Sequence, residues 1–296
     1  MNLKTGSKAF AAGLVALTLA SAAGTAQAQS FSYPNFDSTA GLQLNGTAAP
    51  SPGLIGEGNT LSLTAPVRQS VGTMYYGSRV QVNLGFTTEF RFRMRDITGL
   101  GSDGIAFIVQ NSGLTAMGGA GGGMGYATNL GIQTDGMGNP INQGIANSVA
   151  VAFDAWDNSN DWQTIAGGNV LTVQTNGLGR NRPDAPSSLG GVSVPGSFND
   201  TAVHTVRVSY VPGLMQIFYD NLTTPRLTVP LDLSTTMNLS SGQAFVGFTA
   251  STGGFTNVQR HEILDWSFSN VIPAPGAASL LALSGLMAAR RRRPAA

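Results

Sequence analysis

The stretch "NSVAVAFDAWDNSNDW", residues 147–162, ends an apolar run with Asp154, Asp157, Asn158 and Asp161 packed into eight positions. In an alternating strand Ala150, Ala152, Asp154 and Trp156 share one face, and Val149, Val151, Phe153 and Ala155 share the other. An ionised carboxylate at the end of such a strand is costly unless a cation or several donors accompany it. The next basic residue along the chain is Arg180. Asp154, Asn158 and Asp161, with a backbone carbonyl between them, form the all-oxygen set that a hard ion such as Ca²⁺ prefers. The competing reading is an Asp/Asn-rich loop whose side chains cap its own turns. Elsewhere chemistry is thin. His204 and His261 have neither a nucleophile nor a metal-ligating partner at useful spacing, so each is expected to make a structural hydrogen bond.

Strands must hold these residues in place. In "GFTTEFRFRMRD" Phe86, Phe90, Phe92 and Met94 point one way. Thr87, Glu89, Arg91, Arg93 and Arg95 point the other, which predicts a half-buried strand whose arginine face looks outward for solubility. "HTVRVSY" and "LMQIFYD" flank Val211-Pro212-Gly213 and read as a hairpin. "NVLTVQTNG", "AFVGFTAS" and "EILDWSFS" add three strands, with Trp266 and Phe268 expected in the core. Helical periodicity is missing outside the two ends of the chain. Many strands separated by Gly, Asn and Pro turns predict an all-β fold of two packed antiparallel sheets, a sandwich of jelly-roll type.

The ends differ from the middle. Residues 1–28 place Lys4 and Lys8 before an apolar run that closes on "AQA" at Ala26 to Ala28, the pattern of a secretory signal peptide cleaved after Ala28. Residues 271–296 join a Pro-rich break, an uncharged run of sixteen residues and Arg290 to Arg293. That run is short for a bilayer span, and the arginines would stay on the cytoplasmic side. The tail resembles the PEP-CTERM sorting signals of Gram-negative bacteria, with Ala274 where that motif has glutamate. The resemblance implies transient membrane anchoring, processing by machinery of the exosortase type, and delivery to the cell surface or extracellular matrix. Between the ends, ten arginines face fifteen carboxylates, a net of −5, which argues against nucleic acid or an anionic membrane surface as partner. There is no cysteine, so the exported domain, residues 29–270, must be held by its core and by any metal it binds.

Several motifs, taken in order, carry a second resemblance. "FSYPNF" at Phe31, "SDGIAFIVQNSG" at Ser102, "GGGMGY" at Gly121, "NSVAVAFDAWDN" at Asn147, "HTVRVSY" at His204, and "VGFTASTGG" followed by "HEILDWSFS" are similar to the legume-type (L-type) lectins and their bacterial relatives. That family folds as a concanavalin-like β-sandwich. The resemblance implies a calcium held by the Asp154 carboxylate, the Trp156 carbonyl, the Asn158 amide oxygen and the Asp161 carboxylate. It implies a carbohydrate site formed by Asp103, Asn158 and a backbone N–H at Gly122 or Gly123, with a cis peptide at Ser102-Asp103. The glycines also admit a plainer role, as a permissive link between strands. Trp156 and Tyr126 could stack on a sugar ring or simply pack. The family's neighbouring transition-metal site falls on Ala152 and Val170, which lack donor atoms, so calcium alone or an empty site is expected.

Glycoside hydrolases share this architecture, but they need a pair of carboxyl groups, and the i−2 and i+2 neighbours of Asp154 are Ala152 and Trp156. The expectation is therefore non-catalytic, calcium-dependent binding of a glycan or exopolysaccharide. The alternatives are an adhesive surface protein with this fold that no longer binds sugar, and, behind it, a hydrolase.

Overall fold

The computed structural model describes residues 29–128, 144–156, 169–177, 187–254 and 256–270. All lie in one compact unit, Ala28–Pro273. The segments expected to be a signal peptide and a sorting tail lie outside the described residues. Six short strands come first: β1 (Ser30–Tyr33), β2 (Leu42–Gly46), β3 (Ala49–Pro52), β4 (Asn59–Ser62), β5 (Val71–Tyr76) and β6 (Val80–Gln81). The long β7 (Phe86–Thr98) is followed by β8 (Gly104–Gln110), β9 (Ser148–Asp154), β10 (Val170–Thr175) and β11 (Ser188–Ser193). Then come β12 (His204–Val211), β13 (Leu214–Tyr219), β14 (Leu227–Val229), α1 (Leu233–Thr236), β15 (Gln243–Ser251) and β16 (Val258–Asn270). The back sheet has the order β14-β13-β12-β7-β16-β4-β3 with β1 on β16; the front sheet has β11-β10-β9-β8-β15-β5-β2 with β6 on β15. Neighbours within each sheet are antiparallel, as the jelly-roll expectation requires.

Alternation explains the core. Phe86, Phe90, Phe92 and Met94 of β7 face Phe107, Phe153 and Phe248 of the front sheet, and all are buried. Phe90 meets Phe248 edge-on at 4.8 Å between ring centroids, and Phe92 lies 5.0 Å from Phe153. Burying each such ring contributes about 1.5–3 kcal/mol, and a ring pair about 0.5–1.5 kcal/mol more. Trp266 joins this core and donates its indole N–H to the Thr88 hydroxyl at 2.9 Å. The hairpin forms as expected: Val211 pairs with Leu214 across Pro212-Gly213, with Gly213 at φ +92°.

The arginine face of β7 departs from expectation. Arg93 is only 2% exposed and makes two charge-assisted bonds to Glu57, at 2.9 Å each. It also bonds the fully buried Glu262, which accepts from Arg95 at 2.8 Å as well. The cause is tertiary. The β3–β4 turn folds Glu57 over β7, and β16 sets Glu262 directly opposite Arg93 in the sheet. A period-two pattern cannot tell a solvent-facing arginine from one roofed by a distant turn.

A second apolar layer covers the outer face of the front sheet. Ala106, Ile108, Ala150, Ala152 and Tyr75 on that face pack beneath Met124, Tyr126, Ala127 and Ile145 of the loops between β8 and β9. β8 and β9 are thus buried on both faces, which is why their sequences read as continuous apolar runs.

Candidate functional site

The site assembles where β8 begins and β9 ends. Gly104 and Val170 flank Asp154 across its two neighbouring strands, so all three share one face. The peptide between Ser102 and Asp103 is cis, as the resemblance implied. Asp103 is buried and fixed through its backbone: its N–H donates to the Ser251 carbonyl at 3.0 Å, and its carbonyl accepts from the Ala155 N–H at 2.8 Å. One residue thereby ties the end of β15 to the end of β9.

The Gly-rich loop is stapled to the same corner. Gly121 to Gly123 form a single tight turn closed by Met124 at φ +46°. The Gly121 N–H donates to the Thr252 carbonyl at 3.0 Å, the Ser251 hydroxyl to the Gly121 carbonyl at 2.8 Å, and the Thr249 hydroxyl to the Met124 carbonyl at 2.8 Å. Gly104 permits this approach, since a Cβ there would stand 2.7 Å from the Met124 sulfur and 2.3 Å from the Phe153 carbonyl. The loop is therefore a docked element, and the permissive-linker reading falls. Tyr126 packs within the second apolar layer, while Trp156 stays half-exposed at the site.

Sequence reasoning missed the turn at Thr252 to Gly254. The Ser102 hydroxyl donates to the Asn257 carbonyl and accepts from the Gly253 N–H, the latter at 3.2 Å. A Cβ on Gly253 would sit 3.1 Å from the nearer Asp103 carboxylate oxygen, so this turn forms a wall of the site. Its signal was the double glycine of "VGFTASTGG", which carried a resemblance but no assigned role.

The metal expectation divides in two. The Asp154 carboxylate is buried, and one of its oxygens accepts from the Trp156 N–H at 3.1 Å. The turn-capping reading is thus realised in part. Asp154 and the Trp156 carbonyl, both oxygen donors at a strand end, fit a hard ion. Asn158 and Asp161 lie outside the described residues. Among the described residues no group of three or more His, Cys, Asp or Glu gathers. The transition-metal positions do not fit such an ion: Val170 lies beside Asp154 without donor atoms, and Ala152 is packed in the apolar layer.

Both histidines make structural bonds. His204 binds Tyr219 and Asp220 through one ring nitrogen, at 2.6 and 3.0 Å, and Asp200 through the other at 3.2 Å. His261 is wholly buried against Thr64 at 2.7 Å and Gln259 at 3.1 Å, and burial pulls its pKa down to about 3.

Comparison with known proteins agrees with this geometry. The profile of the Legume lectin domain matches residues 28–281. The chain belongs to the legume lectin family. An L-type lectin-domain containing receptor kinase VII.1 of Arabidopsis thaliana is 31% identical over 229 residues, covering 72% of this chain. This lectin-family chain spans only 31% of that kinase's length. Among solved structures, a lectin from Bauhinia forficata in complex with GalNAc superposes with a TM-score of 0.61 at 23% identity, covering 83% of this chain and 99% of its own. Winged bean acidic lectin complexed with methyl-alpha-D-galactose gives 0.63 at 21%, covering 84% and 100%. These likenesses show the sandwich fold.

Proposed function

We propose that this chain is a non-catalytic carbohydrate-binding protein. The carrying observation is the convergence on Asp103: a buried carboxylate pinned between the ends of β9 and β15, beside a glycine turn that lets main chain approach a ligand. Such a carboxylate accepts from two adjacent hydroxyls of a sugar, and Asn158 supplies a further partner. Of the two candidate amides, Gly123 already donates to the Ala120 carbonyl at 3.3 Å, which favours Gly122 as the donor to ligand. Calcium on Asp154, Trp156, Asn158 and Asp161 would hold the loop after β9 and so pre-position Asn158. On β9 itself the i−2 neighbour of Asp154 is Ala152, packed under the loop, so among the described residues that strand supplies no second carboxyl of the kind a glycoside hydrolase uses, which favours the non-catalytic reading.

Export completes the reading. The N-terminal 28 residues act as the secretory signal, and the PEP-CTERM-like tail anchors the protein transiently before an exosortase-type enzyme processes it at a bacterial surface, where exopolysaccharide is the partner. The second reading, a lectin-fold adhesin without sugar affinity, is favoured by one observation only, the donor-free side chains at Ala152 and Val170.

Calorimetry on the full chain with GalNAc, methyl-α-galactoside and a panel of other sugars, with and without chelator, tests both. Binding that is lost with chelator and in Asp103→Ala is the expected result. Absence of affinity for every sugar in calcium-replete protein would move the assignment to the adhesin.

A further inference from the structure

The segment that leads into Asp103 is held by the start of β16 and by Asn199. Thr98 of β7 pairs with Val258 and Arg95 pairs with Arg260, so Asp96 and Ile97 together oppose Gln259 alone, with Asp96 at φ +55°. A bulge of this kind bends its strand and re-aims the side chains beside it. Just beyond, the Leu100 N–H donates to the Asn257 side-chain oxygen at 3.0 Å, and the Leu100 carbonyl accepts from the Asn199 side-chain amide at 2.8 Å. Gly101, at φ +73°, lies against Gln259. A Cβ on it would stand 2.2 Å from Gln259 Oε1 and 3.0 Å from Asn199 Nδ2. Ser102 and Asp103 follow directly.

The Gln259 amide has one orientation. Its side chain is fully buried, and the Thr64 hydroxyl donates to its backbone carbonyl at 3.1 Å. That hydroxyl has a single hydrogen, so at 2.7 Å it accepts from His261 Nδ1. The His261 ring is neutral, because burial pulls its pKa down to about 3, and its Nε2 therefore accepts from Gln259 Nε2 at 3.1 Å. The same amide nitrogen donates to the Met94 sulfur at 3.1 Å. Both amide hydrogens are thus spent on the core, and Oε1 is left against Gly101 with no donor among the described residues. The buried Oδ1 of Asn199 also lacks one there. Buried acceptors without donors are costly and uncommon. Here two of them flank one glycine, two positions before Asp103.

We propose that Gln259, oriented by Thr64 and His261 and seconded by Asn199, is a positioning residue of the candidate sugar site, acting on Asp103 through Gly101. The inference rests on reading Asp103 as the acceptor for sugar hydroxyls. The two amides bracket the glycine, and Gln259 is itself locked, so residue 101 cannot shift toward them. Its neighbours are tied as firmly: Leu100 and Ser102 to Asn257, and the Asp103 N–H to Ser251. Such support matters because Asp103 and the Gly122 N–H come from different loops. A binding constellation of that kind must be held to about 0.5 Å by partners behind it. Unpaired acceptors are a cost the fold carries at this corner, where a fixed main chain serves the ligand.

Calorimetry and amide hydrogen exchange on the full chain with calcium test this. Gln259→Met keeps a side chain of similar length without the amide. Affinity for GalNAc or methyl-α-galactoside should fall about tenfold, the loss typical when a partner that orients a binding group is removed. The N–H groups of Asp103 and Ala155, which bond Ser251 and Asp103, should exchange faster relative to those of Phe107 and Val151 in the core strands. Asn199→Ala, at a half-buried position, should give the same local pattern and serves if Gln259→Met folds poorly. Exchange that rises at Asp103 and Ala155 only in step with Phe107 and Val151 makes Gln259 an ordinary core residue and overturns the proposal, as does unchanged affinity in a chain that binds either sugar. If the native chain binds neither, that bears on the proposed function, and the exchange pattern still decides the positioning.

Discussion

At Asp103 the backbone is bonded on both sides while the carboxylate is aimed beside Gly253 and the Gly-rich turn. On the proposed function, this arrangement separates folding from binding. Asp103→Asn keeps the shape and both backbone bonds but weakens acceptance from two hydroxyls, so sugar affinity should fall about 10- to 100-fold, the worth of a charge-assisted bond. Calorimetry reads the loss, and an unchanged melting temperature would show it to be local. Ser102 acts one step back, through its bonds to the Gly253 N–H and the Asn257 carbonyl. Ser102→Ala should cost about 1 kcal/mol of stability and a smaller, severalfold share of affinity, with Ser102→Thr restoring part of it. Of the candidate site's residues, Asp103, Asp154 and the glycines are singled out by their types and by the resemblance. The Ser102 clasp could not, since its partners lie more than 150 positions away.

At the scale of elements, β7 shows how far a pattern carries. Its apolar face was legible because period two follows from strand geometry alone. Its polar face was misread, because what covers Arg93 is the β3–β4 turn and Glu262 of β16. Glu262→Ala would leave Arg93 buried beside a lost partner, a change expected to destabilise the fold by about 3–5 kcal/mol in urea unfolding. Glu57 is the milder case. It is partly exposed, and its hydrogen bond to Arg93 holds its carboxyl below the usual range, so Glu57→Gln should shift the urea midpoint far less than Glu262→Ala.

For the whole molecule, two linkages are measurable. His261 takes up its proton only near pH 3 when folded, against 6.5 for an unburied imidazole. Between those values the unfolded chain binds a proton that the folded chain refuses, so stability falls as pH falls, by about 1.4 kcal/mol per unit. Urea midpoints at pH 7 and pH 5 should therefore separate for the native chain by more than they do for His261→Gln. Calcium is the second linkage. An ion bound only by the folded state at one hundred times its dissociation constant adds about 2.7 kcal/mol, so a rise in melting temperature with CaCl₂, reversed by chelator and lost in Asp154→Ala, is the expected result. Manganese or zinc should add nothing further, given Ala152 and Val170.

What the amino-acid order determined alone is whatever depends on neighbours along the chain: the alternating strands, the Pro-Gly hairpin and the sandwich class. What tertiary structure decided is whatever depends on segments far apart in number. It roofed Arg93, docked the glycine turn on β15, and made Gly253 a wall of the candidate site. Periodicity encodes which face of a strand is apolar, but only pairing across sheets decides what each face meets.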